Sequence, residues 1–182
     1  MTGARITFTL DDKGFDAGVA KLGGVLRTSA IRAIGVALVE TTQQRFKSGT
    51  DPWGRKWQAL LPAYAEIKKG PGILRGATQQ LMLGMTFSTA GNQVTVGSNK
   101  IYAAVHQFGA TIKAKNGKGL AFNLGGGRGA AGPRGGKGKQ LIHLVRVQQV
   151  KVPARPYLGF GVADRQAVMD VIATEISRTF GS

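Results

Sequence analysis

From Ile67 to Ala163 this sequence has no Asp or Glu, yet it holds fourteen Lys or Arg residues. The residues before that span carry nine basic and six acidic side chains, and those after it carry two and three. Nearly all of the formal net charge of +16 therefore sits in one continuous stretch. A compact fold that concentrates like charge in this way repels itself. The expected compensation is a polyanion or a negatively charged protein partner. The plain alternative is a basic surface that only aids solubility. Within the span, Lys113 to Lys139 is a Gly/Lys/Arg-rich tract with almost no apolar periodicity outside Leu120-Ala121-Phe122. Such a tract is long for a loop inside a compact domain. It is expected to form a protruding, mobile arm or a long hairpin, ordered when bound.

The rest of the protein is expected to be globular. With 182 residues and 42% hydrophobic content it can build one core, so residues 1–182 are read as a single domain with the arm inserted at 113–139. There is no cysteine, which excludes disulfides and thiolate metal sites. The start, MTGARITFTLDDKGF, has no apolar core of a signal peptide. No run approaches the roughly 18–20 apolar residues of a membrane span. A protein made and used in a cytoplasm, with no membrane contact, is the expectation.

Periodicity supplies the elements. Arg5 to Leu10 alternates polar and apolar, the period of a half-buried strand. Asp11 and Asp12 can cap a helix with Phe15, Val19, Leu22 and Leu26 on its stripe, weakened at Gly23-Gly24. Thr28 or Ser29 is the expected cap of the main helix, whose stripe is Ile31, Ile34, Leu38 and Phe46 and whose end is Ser48-Gly49. Asp51-Pro52-Trp53-Gly54 has the spacing of a type I turn. Trp53 and Trp57 flank Arg55 and Lys56; they either pin this loop to the core or form an interface, where Trp and Arg are favoured. Pro62 to Lys69 predicts a short helix turn, broken by Gly70-Pro71-Gly72. Leu81, Leu83, Met85 and Phe87 alternate as a strand, and a turn at Thr89–Asn92 leads to Val94 and Val96, giving a β-hairpin. Tyr102 to Phe108 predicts a short helix ending at Gly109. Gln140 to Val152 predicts one strand or two, ended by Pro153. Asp164 can cap a last helix with Val168, Ile172, Ile176 and Phe180 on one face. The fold class is α+β: a mainly antiparallel sheet packed by the long amphipathic helix and the C-terminal helix, with a long basic Gly-rich arm.

Catalytic and cofactor motifs fail on inspection. A phosphate loop ending at Gly136-Lys137 needs Gly at 131 and Ser or Thr at 138, where Ala and Gly stand. Gly125-x-Gly127-x-x-Ala130 matches the loose dinucleotide pattern, but Gly132-Pro133 prevents the helix that must follow. The two histidines, His106 and His143, have neither a carboxylate nearby nor metal-ligand spacing, so no metal and no cofactor are expected. His106 reads as a packing and hydrogen-bonding residue, not a base. No nucleophile elbow is present. The protein is read as a non-enzyme. In the basic tract, Lys113, Lys115, Lys118, Arg128, Arg134, Lys137 and Lys139 are the candidate contacts to DNA or a partner. Its single aromatic, Phe122, leaves backbone electrostatics as the mode, sequence-independent and salt-sensitive.

Four blocks together resemble the virion morphogenesis, or tail completion, proteins of Mu-like tailed bacteriophages. They are Arg45-Phe46 with Asp51-Pro52-Trp53-Gly54-Arg55-Lys56-Trp57; Ile73-Leu74-Arg75 with Gln79; Tyr102-Ala103-Ala104-Val105-His106-Gln107-Phe108-Gly109; and Val152-Pro153-Ala154-Arg155-Pro156-Tyr157-Leu158-Gly159. The sequence departs from the family at Gly76-Ala77-Thr78 and in its long 113–139 tract. The resemblance implies a non-enzymatic virion component that acts late in assembly. Its expected work is tail completion and head–tail joining, as a small α+β domain in a homo-oligomeric ring of six subunits at the neck or head-proximal tail end, after assembly in the host cytoplasm. Its implied neighbours are neck and tail tube or terminator proteins, with non-specific contact to genomic DNA in the lumen. Trp53, Trp57, Tyr102, His106, Phe108, Arg155 and Tyr157 are the implied subunit or partner contacts, and Arg155 is expected to pair with an acidic neighbour. The competing reading is a sequence-independent DNA-binding protein associated with phage DNA or packaging.

Overall fold

A computed structural model describes residues 3–9, 24–115, 119–123 and 144–180. The expected helix with Asp11, Asp12, Phe15, Val19 and Leu22 lies outside the described residues. In chain order the elements are β1 (Ala4–Thr9), α1 (Gly24–Ser48), α2 (Pro62–Ile67), α3 (Gln80–Leu83), β2 (Thr86–Ala90), β3 (Gln93–Ser98), α4 (Ala103–Phe108), β4 (Ala110–Lys113), β5 (Leu120–Asn123), β6 (Leu144–Val147), β7 (Gln149–Val152) and α5 (Val162–Phe180). The class is α+β, and every ladder among the described residues is antiparallel.

The main sheet has the order β1-β3-β2. Its central strand carries the burial: Val94 and Val96 point into the core, where the strand's period of two places them together. β1 alternates as its sequence predicts, with Ile6 and Phe8 half-buried between exposed Arg5, Thr7 and Thr9. Helix α1 packs on β2 and β3 and also on α5. Its stripe of Ile31, Ile34, Leu38 and Phe46 is buried. Thr42 fills the gap in that stripe, and its hydroxyl donates to the Leu38 carbonyl at 2.8 Å, so a polar side chain enters the core satisfied. Gly49 ends the helix at φ 68°, the left-handed conformation that lacks a Cβ penalty only for glycine.

Three expectations change. Helix α1 already includes Gly24, the first described residue of this stretch, so Thr28 and Ser29 lie inside it and not at its cap position. Ser29 donates to Glu175 of α5 instead, at 3.3 Å. Second, residues 80–83 are a helical turn and not strand. Leu81, Met82 and Met85 are buried while Leu83 is exposed; a strand would have buried Leu81 and Leu83 on one face. Burial of both Leu81 and Met82 decides for the turn. Third, α5 packs chiefly on α1. Its stripe fades along the helix, from buried Val168 through half-buried Ile172 to exposed Ile176. Of the one strand or two expected over 140–152, the structure has two, β6 and β7, pairing with different partners. β7 pairs with β4, Lys113 opposite Gln149, and β6 pairs with β5, Leu120 opposite Val147. Both described ends of the basic tract are thus held in antiparallel ladders, and residues 116–118 and 124–143 lie outside the described residues.

Candidate interaction site

Three of the sequence blocks, far apart along the backbone, meet around Pro153 to Gly161. This segment has no regular structure, so its backbone groups need partners from elsewhere. Gln107 of α4 supplies most of them. Its Oε1 accepts from the N–H groups of Tyr157 and Leu158, both at 3.0 Å, and its Nε2 donates to the Leu158 carbonyl at 3.0 Å. The Trp57 indole N–H donates to the Pro156 carbonyl at 2.8 Å. The Arg155 N–H donates to the His106 carbonyl at 2.8 Å. Tyr157 is fully buried, packs on Phe46 at 5.0 Å between ring centroids, and donates its hydroxyl to the Ala103 carbonyl at 2.9 Å. Phe46 meets Trp57 edge-on at 5.8 Å. Burial, with the Tyr102 hydroxyl second, pushes the Tyr157 phenol far above its usual range, so it stays a donor.

A buried ion pair closes the cluster. Arg45 sits on the apolar stripe of α1 and pairs with Asp164, the third residue of α5. The other nitrogen of its fork donates to the Tyr157 carbonyl at 3.0 Å. Asp164 also accepts from the Thr41 hydroxyl at 2.5 Å and from the Gly161 N–H at 2.7 Å. The last contact reaches back to the residue before the helix, half of a capping box. Removing one partner of such a pair costs about 3–5 kcal/mol, because the other is left charged in the interior. The segment also lies hard against the turn at Pro52: a Cβ on Gly161 would fall 1.7 Å from the Pro52 carbonyl oxygen.

That turn is built by Asp51. The Gly54 N–H donates to the Asp51 carbonyl at 3.0 Å, and the carboxylate accepts from the N–H groups of Trp53 and Arg55, each at 2.9 Å, and from the Arg55 guanidinium at 2.7 Å. Burial alone would push this carboxyl up. The Arg55 side chain and the two backbone N–H groups outweigh it and hold the group below its usual range. Trp53 is left outside, 61% exposed, with Arg55 stacked on its ring at 5.3 Å.

The expected contact residues therefore divide. Trp57, Arg155 and Tyr157 are interior and hold the segment in place. Arg155 meets no acid among the described residues. Its guanidinium donates to the carbonyls of Gln58 at 2.9 Å and Ala59 at 3.2 Å, because burial brings it against backbone. His106 is half-buried, and burial, then the Arg155 charge, hold it below its ordinary value. Trp53, Tyr102 and Phe108 remain on the surface, Phe108 at 72%. Beside Trp53 an open groove of about 810 Å³ runs between α1, the 50–54 turn and the start of α5, with exposed Val162 on its far wall. Lys113 and Lys115 are exposed on the β4 side of the tract; Lys118, Arg128, Arg134, Lys137 and Lys139 lie outside the described residues. Arg45, Gln107 and Asp164 carry the cluster, and sequence reasoning does not single them out as contacts. The available signal is an arginine in phase with a buried stripe. Among the described residues no group of three His, Asp or Glu comes together that could hold a metal ion, and no helix is long and apolar enough to cross a membrane.

The model of the phage virion morphogenesis family matches residues 14–177, which takes in all three blocks of the cluster. The chain belongs to that family. The family makes it a component of phage virion building. Among its relatives is protein G of Escherichia phage Mu, named for capsid assembly, 27% identical over 174 residues that cover 92% of each protein. Another is the Mu-like prophage FluMu G protein 2 of Haemophilus influenzae, 33% identical over 96 residues, covering 53% of this chain and 61% of that one. No solved structure matches.

Proposed function

We propose that this morphogenesis protein is a structural, non-catalytic part of the virion that completes the tail and joins it to the head, as a homo-oligomeric ring at the neck or head-proximal tail end. One observation carries the reading. Trp57, Gln107, Arg155 and Tyr157 of the blocks are spent internally, on backbone carbonyls and N–H groups, and none of the block residues is arranged as a nucleophile with a base among the described residues. What the cluster presents outward is the shaped edge of a groove with Trp53 and Val162 exposed. An aromatic anchor beside a groove suits contact between copies or with an axial neighbour, such as a tail tube or terminator protein. The relative in phage Mu named for capsid assembly supports a role in assembly. The test is a phage carrying Trp53→Ala in this protein. The expected lysate contains filled heads and unjoined tails, and light scattering of the purified wild-type protein gives one discrete multimer. Normal virion yield from that phage, with a monomeric wild-type protein, would sink the proposal.

A second reading has its own observation. Among the described residues the exposed carboxylates are Glu40, Glu66 and Asp170, against a far larger number of exposed Lys and Arg. Contact with DNA phosphates fits that imbalance. A protein that works by it holds duplex at physiological salt, with affinity falling steeply as salt rises.

A further inference from the structure

Cations are common over this whole surface, but in one place they line a pocket. A pocket of about 350 Å³ opens between the end of α2, the 70–80 loop and α4. Its floor includes Ile73 and Leu81, and its wall carries Lys68, Lys69, Tyr102 and His106. No carboxylate among the described residues lines it; Glu66 of α2 is exposed and lies outside the lining.

The charges here are not matched by charges. Among the described residues the Lys68 ammonium donates only to carbonyls, those of Arg75 at 2.6 Å, Gly70 at 3.1 Å and Lys69 at 3.5 Å. Arg75 stands beside it with a buried Nε that has no partner. The buried Nδ1 of His106 also has none. Behind His106, Arg155 donates to the carbonyls of Gln58 and Ala59 and meets no acid among the described residues. Buried charge is ordinarily paired with opposite charge. Lys68 and Lys69 line the pocket, and the Arg75 and Arg155 charges lie behind it. Burial and, second, the Arg75 charge push Lys68 down, as burial and Arg155 do for His106, so an anion arriving at the lining relieves like-charge repulsion.

We propose that this pocket receives a carboxylate from an acidic partner protein. The apolar floor takes the aliphatic stem, and Lys69, the Lys68 edge and His106 take the oxygens. The group is either a Glu or Asp side chain or the terminal carboxylate of a polypeptide. A duplex is a poorer occupant: its phosphates meet protruding lysines, whereas these donors are recessed, with Lys69 the one exposed ammonium among them. The site does not depend on the ring reading, since a monomer would bind the same group.

The two histidines allow a direct test on the full-length protein labelled with ¹⁵N/¹³C-histidine. N-acetylglutamate α-amide presents the side-chain carboxylate, N-acetylleucine presents the terminal one, and a short duplex and sodium chloride at equal ionic strength are the competing arms. The expected result is a saturable shift of the His106 ring signals with at least one carboxylate, with His143 unmoved, and the carboxylate that acts identifies the source. Lys69→Gln, at an exposed position that leaves the fold intact, should weaken that binding about tenfold. No saturable His106 response to either carboxylate overturns the proposal. So does a response that chloride reproduces, or one in which the duplex displaces the carboxylates.

Discussion

The Pro153–Gly161 cluster and the pocket beside α2 contain the same kinds of residue, and they treat them in opposite ways. In the cluster each polar group named has a geometric match: Arg45 with Asp164, Gln107 with three backbone groups, Trp57 and Tyr157 with carbonyls. In the pocket Lys68 has carbonyls for partners, and two buried nitrogens, His106 Nδ1 of the lining and Arg75 Nε beside Lys68, have no partner among the described residues. Satisfied buried polar groups specify one structure; unsatisfied ones hold interaction in reserve. The two regions touch at His106, whose carbonyl serves the cluster and whose ring lines the pocket.

The sharpest way to break this contrast is at the ion pair. Arg45→Met should cost about 3–5 kcal/mol in urea unfolding, and Arg45→Met with Asp164→Leu should recover much of it, because the loss comes from a stranded charge. A single variant within about 1 kcal/mol of wild type would mean that the pair does not hold the cluster. Next comes Gln107→Leu, which strands two N–H groups and a carbonyl. About 3 kcal/mol is expected, with faster hydrogen exchange at the Tyr157 and Leu158 amides as the local sign.

A smaller effect comes from pH. His106 is held below its ordinary 6.5 in the folded protein, so the unfolded state takes up the proton first. The contribution is complete above 6.5 and is lost as pH falls below it. His106→Gln should flatten that part of the stability profile. The smallest effect is the most diagnostic for the comparison: Lys69→Gln should change stability by no more than about 0.5 kcal/mol. A large loss there would make the pocket part of the folding machinery instead of a binding surface.

Much of the fold is legible in the sequence because it follows from short periods. The alternation of Arg5 to Thr9, the stripe of Ile31, Ile34 and Leu38, and the Asp51-Pro52-Trp53-Gly54 turn each declare themselves within a few residues. The 80–83 segment misleads for the same reason. Its alternation of Leu81 and Leu83 is a local signal, and burial of Met82 overrides it. The interior fate of Trp57, Arg155 and Tyr157 is not legible, since a Trp or Arg motif reads equally as anchor or as contact.

The sequence by itself determined the segregation of charge, the α+β class and the end of the main helix at Ser48-Gly49, for these depend on composition and on neighbours a few positions away. Tertiary structure alone decided that Arg45 would find Asp164, 119 positions later, and that Gln107 would clamp a segment 50 residues on. It also decided that Lys68 and His106 would line one pocket that has no carboxylate among the described residues. The reason is that a buried polar side chain is defined by whichever distant groups the fold brings to it, and no local pattern encodes those.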